Sequence, residues 1–163
     1  MSAHDECIAY WQRVRSFHMD QNGWVDIGYS FGACPHGELF TGRGLGHYQA
    51  AQGTTAGNSD YYSVTLMVGG LEVPSSRQIT AVRALRDHLI DLGLSAEIRA
   101  HREFFDTECP GRVIDDLLRQ GAFTSAHHSA FQARSPRPQD FFDAGCGGAG
   151  RGPNGMGDAG SAR

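Results

Sequence analysis

Apolar residues fall at helical spacing in three stretches of the chain and alternate with polar ones in others. Ile8, Trp11, Val14 and His18 share one face of a helix expected over Asp5 to Met19, with Asp5 as N-cap. Asp20-Gln21-Asn22-Gly23 is turn chemistry and ends it. Val25, Ile27, Tyr29 and Phe31 alternate with Asp26, Gly28 and Ser30, predicting a strand from Trp24 to Phe31 with Tyr29 on the face of Val25 and Ile27. Cys34-Pro35-His36-Gly37 reads as a hairpin turn, and Glu38 to Thr41 as the return strand.

Gly44 to Asp60 has no period and predicts a long loop of functional kind. Tyr61 to Val68 is the strongest strand signal and is expected at the centre of a sheet. A second helix begins at Pro74-Ser75-Ser76, where Ser75 and Gln78 form a capping-box pattern. Its buried stripe is Ile79, Val82, Leu85, Leu89 and Leu92, and Gly93 ends it. Ala96 to Ala100 is expected as a short strand delivering His101. Pro110 suits the first turn of a third helix that buries Val113, Ile114, Leu117 and Leu118 and closes at Gly121. The order implies a mixed α/β domain over 1–123: a small central mixed β-sheet flanked by about three helices. Residues 124–163, rich in Gly, Pro and Ala, are expected to form a disordered tail, within which the His127-His128 pair reads as composition.

A formal net charge of −4 argues against nucleic acid as a partner, which wants a basic face. No apolar run reaches the roughly 20 residues that span a bilayer. Met1 to Glu6 is polar, without the apolar core of a signal peptide, so the expected product starts in the cytoplasm. The four cysteines, Cys7, Cys34, Cys109 and Cys146, form no C-x-x-C pair. Cys7 and Cys34 are either free thiols or a disulfide formed after export.

The chemistry concentrates in His101-Arg102-Glu103-Phe104-Phe105-Asp106-Thr107-Glu108-Cys109-Pro110-Gly111. An imidazole and a thiol stand close in sequence, and zinc accepts both, a catalytic zinc taking three protein ligands and a water. Phe17 to Phe31, Cys34-Pro35-His36-Gly37, Gly42-Arg43-Gly44, Ala50 to Asn58, His101 and Thr107 to Gly111 together resemble the zinc-dependent N-acetylmuramoyl-L-alanine amidase and peptidoglycan recognition protein family. The Ala50 to Asn58 stretch looks most like actinobacterial and phage lysin members. The resemblance covers about residues 5 to 120, with the motifs in family order.

It implies cleavage of the amide between N-acetylmuramic acid and L-alanine in peptidoglycan, at the bacterial cell wall after release or export. It implies His101 and Cys109 as zinc ligands, Tyr29 and Thr107 as catalytic residues, and His18, Asn58 and Arg43 as substrate-binding residues. The residues also carry plainer readings. Tyr29 suits a strand core, Thr107 a helix N-cap, Arg43 a salt bridge, and His36 and His47 turns. The family's first zinc histidine ends a strand ahead of the first helix, and no counterpart stands before His18. His4 is the substitute at hand. That departure leaves a non-catalytic peptidoglycan-binding module, or an inactive fragment, as the alternative function.

Overall fold

The computed structural model describes residues 3–124. The expected tail, with its His127-His128 pair and Cys146, lies outside the described residues.

Helix α1 (His4–Ser16) runs on into a π-helical turn, Phe17–Gln21, where the expectation was one helix to Met19. Its N-cap is Ala3, which has no side chain to offer. Asp5 and Glu6 stand instead in the first turn, where carboxylates face the positive end of the helix dipole. The buried face is set by Cys7 and Trp11, with Val14 partly buried beside them, while Ile8 is exposed.

The strand expected over Trp24 to Phe31 shrinks to its last residue. Val25 is 85% exposed whereas Ile27 is 1% exposed, so the two do not share a face. Backbone groups here find irregular partners in place of a ladder. Trp24 N–H donates to the His18 carbonyl (3.1 Å), Ile27 N–H to Asp26 Oδ1 (2.7 Å) and Gly28 N–H to His18 Nδ1 (3.0 Å). An alternating pattern cannot reveal that side chains will take over the hydrogen bonds that a strand needs.

Three short strands form the sheet: β1 (Phe31–Ala33), β2 (Leu39–Thr41) and β3 (Val64–Leu66). The order is β2-β1-β3, antiparallel between β1 and β2 and parallel between β1 and β3. The centre is therefore β1, not the Tyr61–Val68 segment. All three β1 residues are buried, as a strand covered on both faces requires. The hairpin turn forms as expected, closed by Gly37 N–H to the Cys34 carbonyl (3.0 Å). Ahead of β1 and β3, Ser30 and Ser63 continue the pairing through their hydroxyls: each backbone N–H donates to the other's Oγ, at 3.0 and 3.3 Å.

Two cores sandwich this sheet. On one face α1 contributes Cys7 and Trp11, which cluster with Ile27, Cys34 and Met67. Gly32 of β1 lies under the Trp11 ring, and a Cβ there would stand 2.5 Å from it. On the other face Ala33, Val64 and Leu66 meet Ile79 and Val82 of α3 (Ser76–Asp91) and Ile114, Leu117 and Leu118 of α4 (Arg112–Arg119). Ser75 caps α3 by accepting from Gln78 N–H (3.0 Å). The box is not completed: the Gln78 side chain donates to the Ala33 carbonyl (2.7 Å), tying α3 to β1. Leu92, expected in the stripe, lies past the end of α3 and is exposed.

The segment expected as a long functional loop contains a short helix, α2 (Thr55–Asp60), capped by Thr54. Ala96–Ala100 forms no strand, since no described strand offers it a ladder. Pro110 precedes α4, whose N-cap is Gly111 at φ +82, so Thr107 is not its cap.

Candidate functional site

His101 opens a single 3₁₀ turn, His101–Glu103. The turn is locked by Glu103 N–H to the Ala100 carbonyl (3.0 Å) and Ala100 N–H to Glu103 Oε1 (2.7 Å). Arg102 closes the segment on itself, donating to the Glu108 carbonyl (3.0 Å) and to Asp115 Oδ2 (3.3 Å). Each end of that clasp is the immediate neighbour of His101 or Cys109.

The His101 ring is hydrogen-bonded to the Gln52 carbonyl, and its Nε2 is buried without a partner. Nδ1 is thus the donor, which leaves the Nε2 lone pair free. A backbone carbonyl on one ring nitrogen is the arrangement that orients a metal-binding histidine. Burial lowers the His101 pKa, with the Gln52 bond opposing, and the ring stays neutral near pH 7. Phe105 stacks on it (centroids 6.1 Å, planes 18° apart) and also fills the space above Gly53, which sits at φ +70.

Cys109 reaches the surface, yet surrounding protein pushes its thiol pKa up while Arg102 pulls it down. Its backbone N–H donates to Thr107 Oγ1 (3.2 Å), so the Thr107 hydroxyl organises the cysteine turn and keeps its own proton free to donate. The Tyr29 pKa is raised by burial and by charge at Tyr10 and Cys109, against a hydrogen bond with Thr65. Phenol and thiol therefore lie in each other's field. His18 packs at a tilt beside Tyr29 (5.5 Å) and Trp24 (4.8 Å). Its Nδ1 accepts from Gly28 N–H, which places the ring proton on Nε2, and burial followed by Arg43 lowers its pKa.

Two expected substrate contacts have structural partners. Asn58 Oδ1 accepts from Ala51 N–H (3.0 Å) and Gln52 N–H (2.8 Å), holding the strip whose carbonyl orients His101. Arg43 donates to the carbonyls of Ile27 (2.7 Å), Tyr48 (2.7 Å) and Asp26 (3.4 Å), binding the irregular 24–30 segment to the loop.

Among the described residues, the group of three or more His, Cys, Asp or Glu ligand atoms that converges is His4, Cys7, Cys34 and His36. Neither His101 nor Cys109 belongs to it. His4 is the first residue of α1 rather than a residue ahead of it, and its ring lies by Cys34 and Phe40 instead of completing the His101–Cys109 pair. Cys7 and Cys34 are free thiols and not a disulfide. In the sequence these four residues stand apart, as separate thiols and turn residues. The signal was His-x-x-Cys on a helix start and Cys-x-His in a turn. No helix among the described residues is long and apolar enough to cross a membrane.

No protein-family model matches the chain. An N-acetylmuramoyl-L-alanine amidase of Sus scrofa is 35% identical over 122 residues, covering 69% of this chain and 19% of the relative. Peptidoglycan-recognition protein SC2 of Drosophila melanogaster is 32% identical over 119 residues, covering 69% of this chain and 62% of the relative. The chain thus spans about a fifth of the first and about three fifths of the second. These relatives are animal proteins, and nothing in them bears on a phage or actinobacterial type. A solved structure of a Drosophila peptidoglycan-recognition protein LB variant with tracheal cytotoxin aligns with TM-score 0.63 at 27% identity, covering 77% of this chain and 76% of that one. The chain therefore belongs to the family of N-acetylmuramoyl-L-alanine amidases and peptidoglycan-recognition proteins.

Proposed function

We propose that the chain acts on bacterial peptidoglycan as a zinc-dependent N-acetylmuramoyl-L-alanine amidase, with its site at Tyr29, His101, Thr107 and Cys109. The observation that carries this reading is the buried, unpartnered Nε2 of His101, oriented by the Gln52 carbonyl, on the same clasped segment as Cys109. A lone pair so held and a thiol suit zinc as two of its ligands. When bound there, zinc supplies a Lewis acid and an acidified water for attack on an unreactive amide.

The remaining residues supply protons and positions. Tyr29, with its pKa raised, stays a neutral phenol able to donate to the amide oxygen as charge develops on it. Thr107 has a free O–H for the same carbonyl region, because its oxygen already accepts from Cys109 N–H. His18 offers its Nε2–H beside Tyr29. Asn58 and Arg43 position the site through the backbone they hold. Action at the cell wall, in a phage lysin or an actinobacterial wall enzyme, is part of the same proposal.

A second reading is peptidoglycan binding without hydrolysis. It is favoured because, among the described residues, neither His101 nor Cys109 belongs to a group of three or more converging ligand atoms. Purified peptidoglycan incubated with the full chain and zinc separates the two. Release of stem peptides with new L-alanine amino termini, lost in Cys109→Ser, supports the amidase. Co-sedimentation with the wall without release supports the binding module, and neither result leaves both readings without support.

A further inference from the structure

Two sulfurs and two imidazole nitrogens meet where α1 begins against the β1–β2 turn. His4 and Cys7 stand one helical turn apart on α1, and Cys34 and His36 flank Pro35 in the turn. Cys7 Sγ lies 3.3 Å from His36 Nδ1. Cys34 Sγ lies 3.8 Å from the same nitrogen and 3.9 Å from His4 Nδ1. All four ligand atoms fall within 4.8 Å of one another. Zinc bonds of about 2.3 Å to sulfur and about 2.05 Å to nitrogen, at tetrahedral angles, require edges of about 3.4–3.8 Å. These separations are those of such a tetrahedron before contraction onto a cation.

We propose that His4, Cys7, Cys34 and His36 form a closed structural zinc site, separate from the His101–Cys109 pair. The donor set matches in charge as well as position. Two thiolates and two neutral imidazoles balance a divalent cation, so the site carries no net charge into a buried setting. Binding releases the two thiol protons to solvent, and no electron moves. Both sulfurs are fully buried, and four protein ligands leave no position for a reacting water, which fits a structural role and not a catalytic one. A disulfide would use only the sulfurs. It would give no reason for two rings from different elements to turn the same nitrogen toward them. Phe40 packs against the His4 ring (5.9 Å), and His36 meets it edge-on (6.3 Å), so the imidazoles are held in place by neighbours.

The cross-link joins α1 to the hairpin. That matters because α1 carries Trp11, which stacks on Tyr29 (6.3 Å), and leads into His18, which packs against the same ring at a tilt (5.5 Å). The site therefore fixes the helix behind the proposed catalytic phenol, in a domain whose strands are only three residues long. The inference stands whether or not the chain hydrolyses peptidoglycan.

The test uses the full chain carrying Cys109→Ser, purified under reductant, so that the thiolate of the His101–Cys109 pair is absent. Metal analysis is expected to find one zinc per chain, lost when Cys7→Ser and Cys34→Ser are added. Because replacing buried cysteines can prevent folding, cobalt(II) titration of the metal-free Cys109→Ser chain provides a second measurement. It should give the sulfur-to-metal charge-transfer band and strong visible absorption of tetrahedral two-thiolate cobalt. His36→Ala, at a half-buried position, should weaken cobalt binding at least about tenfold. A Cys109→Ser chain that binds neither metal, or whose cobalt spectrum lacks the thiolate band, overturns the proposal. So does recovery of Cys7 and Cys34 as a disulfide when the reduced chain is reoxidised with zinc present.

Discussion

Asn58 separates a residue that touches ligand from one that builds the site. Its Oδ1 accepts from two consecutive backbone N–H groups, Ala51 at 3.0 Å and Gln52 at 2.8 Å, and the Gln52 carbonyl in turn orients His101. In Asn58→Ala both amides lose their acceptor. Leaving a buried donor unpaired costs about 1–3 kcal/mol, and partial access of water to these amides argues for the low end, so the pair is worth about 2 kcal/mol. For a domain of this size that is a fall of about 6–10 °C in Tm. Asn58→Asp keeps the acceptor oxygens and should recover most of the loss. Thermal unfolding followed by circular dichroism measures the stability. Nitrogen-detected NMR of the histidine rings reads the consequence at the site: His101 should lose its fixed Nδ1–H tautomer in Asn58→Ala and keep it in Asn58→Asp. The reasoning fails if Asn58→Ala melts within 1 °C of the parent, or if Asn58→Asp is as destabilised as Asn58→Ala.

Other expectations follow from the same contacts. Gly32→Ala drives a methyl into the Trp11 ring and should cost about 1–3 kcal/mol, while Gly70→Ala, with nothing near its Cβ, should change stability by less than about 0.5 kcal/mol, both measured by urea unfolding. Tyr29→Phe should lower the rate of stem-peptide release by about 10²-fold or more while leaving wall binding within about threefold, by co-sedimentation. His18 and His101 both titrate below the ordinary histidine value of 6.5 in the folded chain, each mainly through burial. The unfolded chain therefore binds more protons below that value. Their contribution to stability is complete above about pH 6.5 and is lost as pH falls through the folded pKa values. With chelator present to remove metal effects, the urea midpoint should be lower at pH 5.5 than at pH 7.5, and a flat or rising midpoint would count against this assignment.

The sequence by itself determined the elements whose signal is local. Helices α1, α3 and α4 follow from apolar residues at helical spacing, and the Ser75 cap and the Cys34–Gly37 turn follow from side-chain and backbone chemistry within four residues. The family motifs were visible for the same reason, each being short and contiguous. Only the tertiary structure decided what depends on partners far along the chain. Trp24–Ser30 alternates like a strand, yet His18, Asp26 and Arg43 take its hydrogen bonds and Val25 turns to solvent. Ala96–Ala100 has a strand's composition, but a ladder needs a neighbour and none is described. The meeting of His4 and Cys7 with Cys34 and His36 required α1 to pack on the hairpin, a contact that burial of Trp11 drives and that no local pattern encodes.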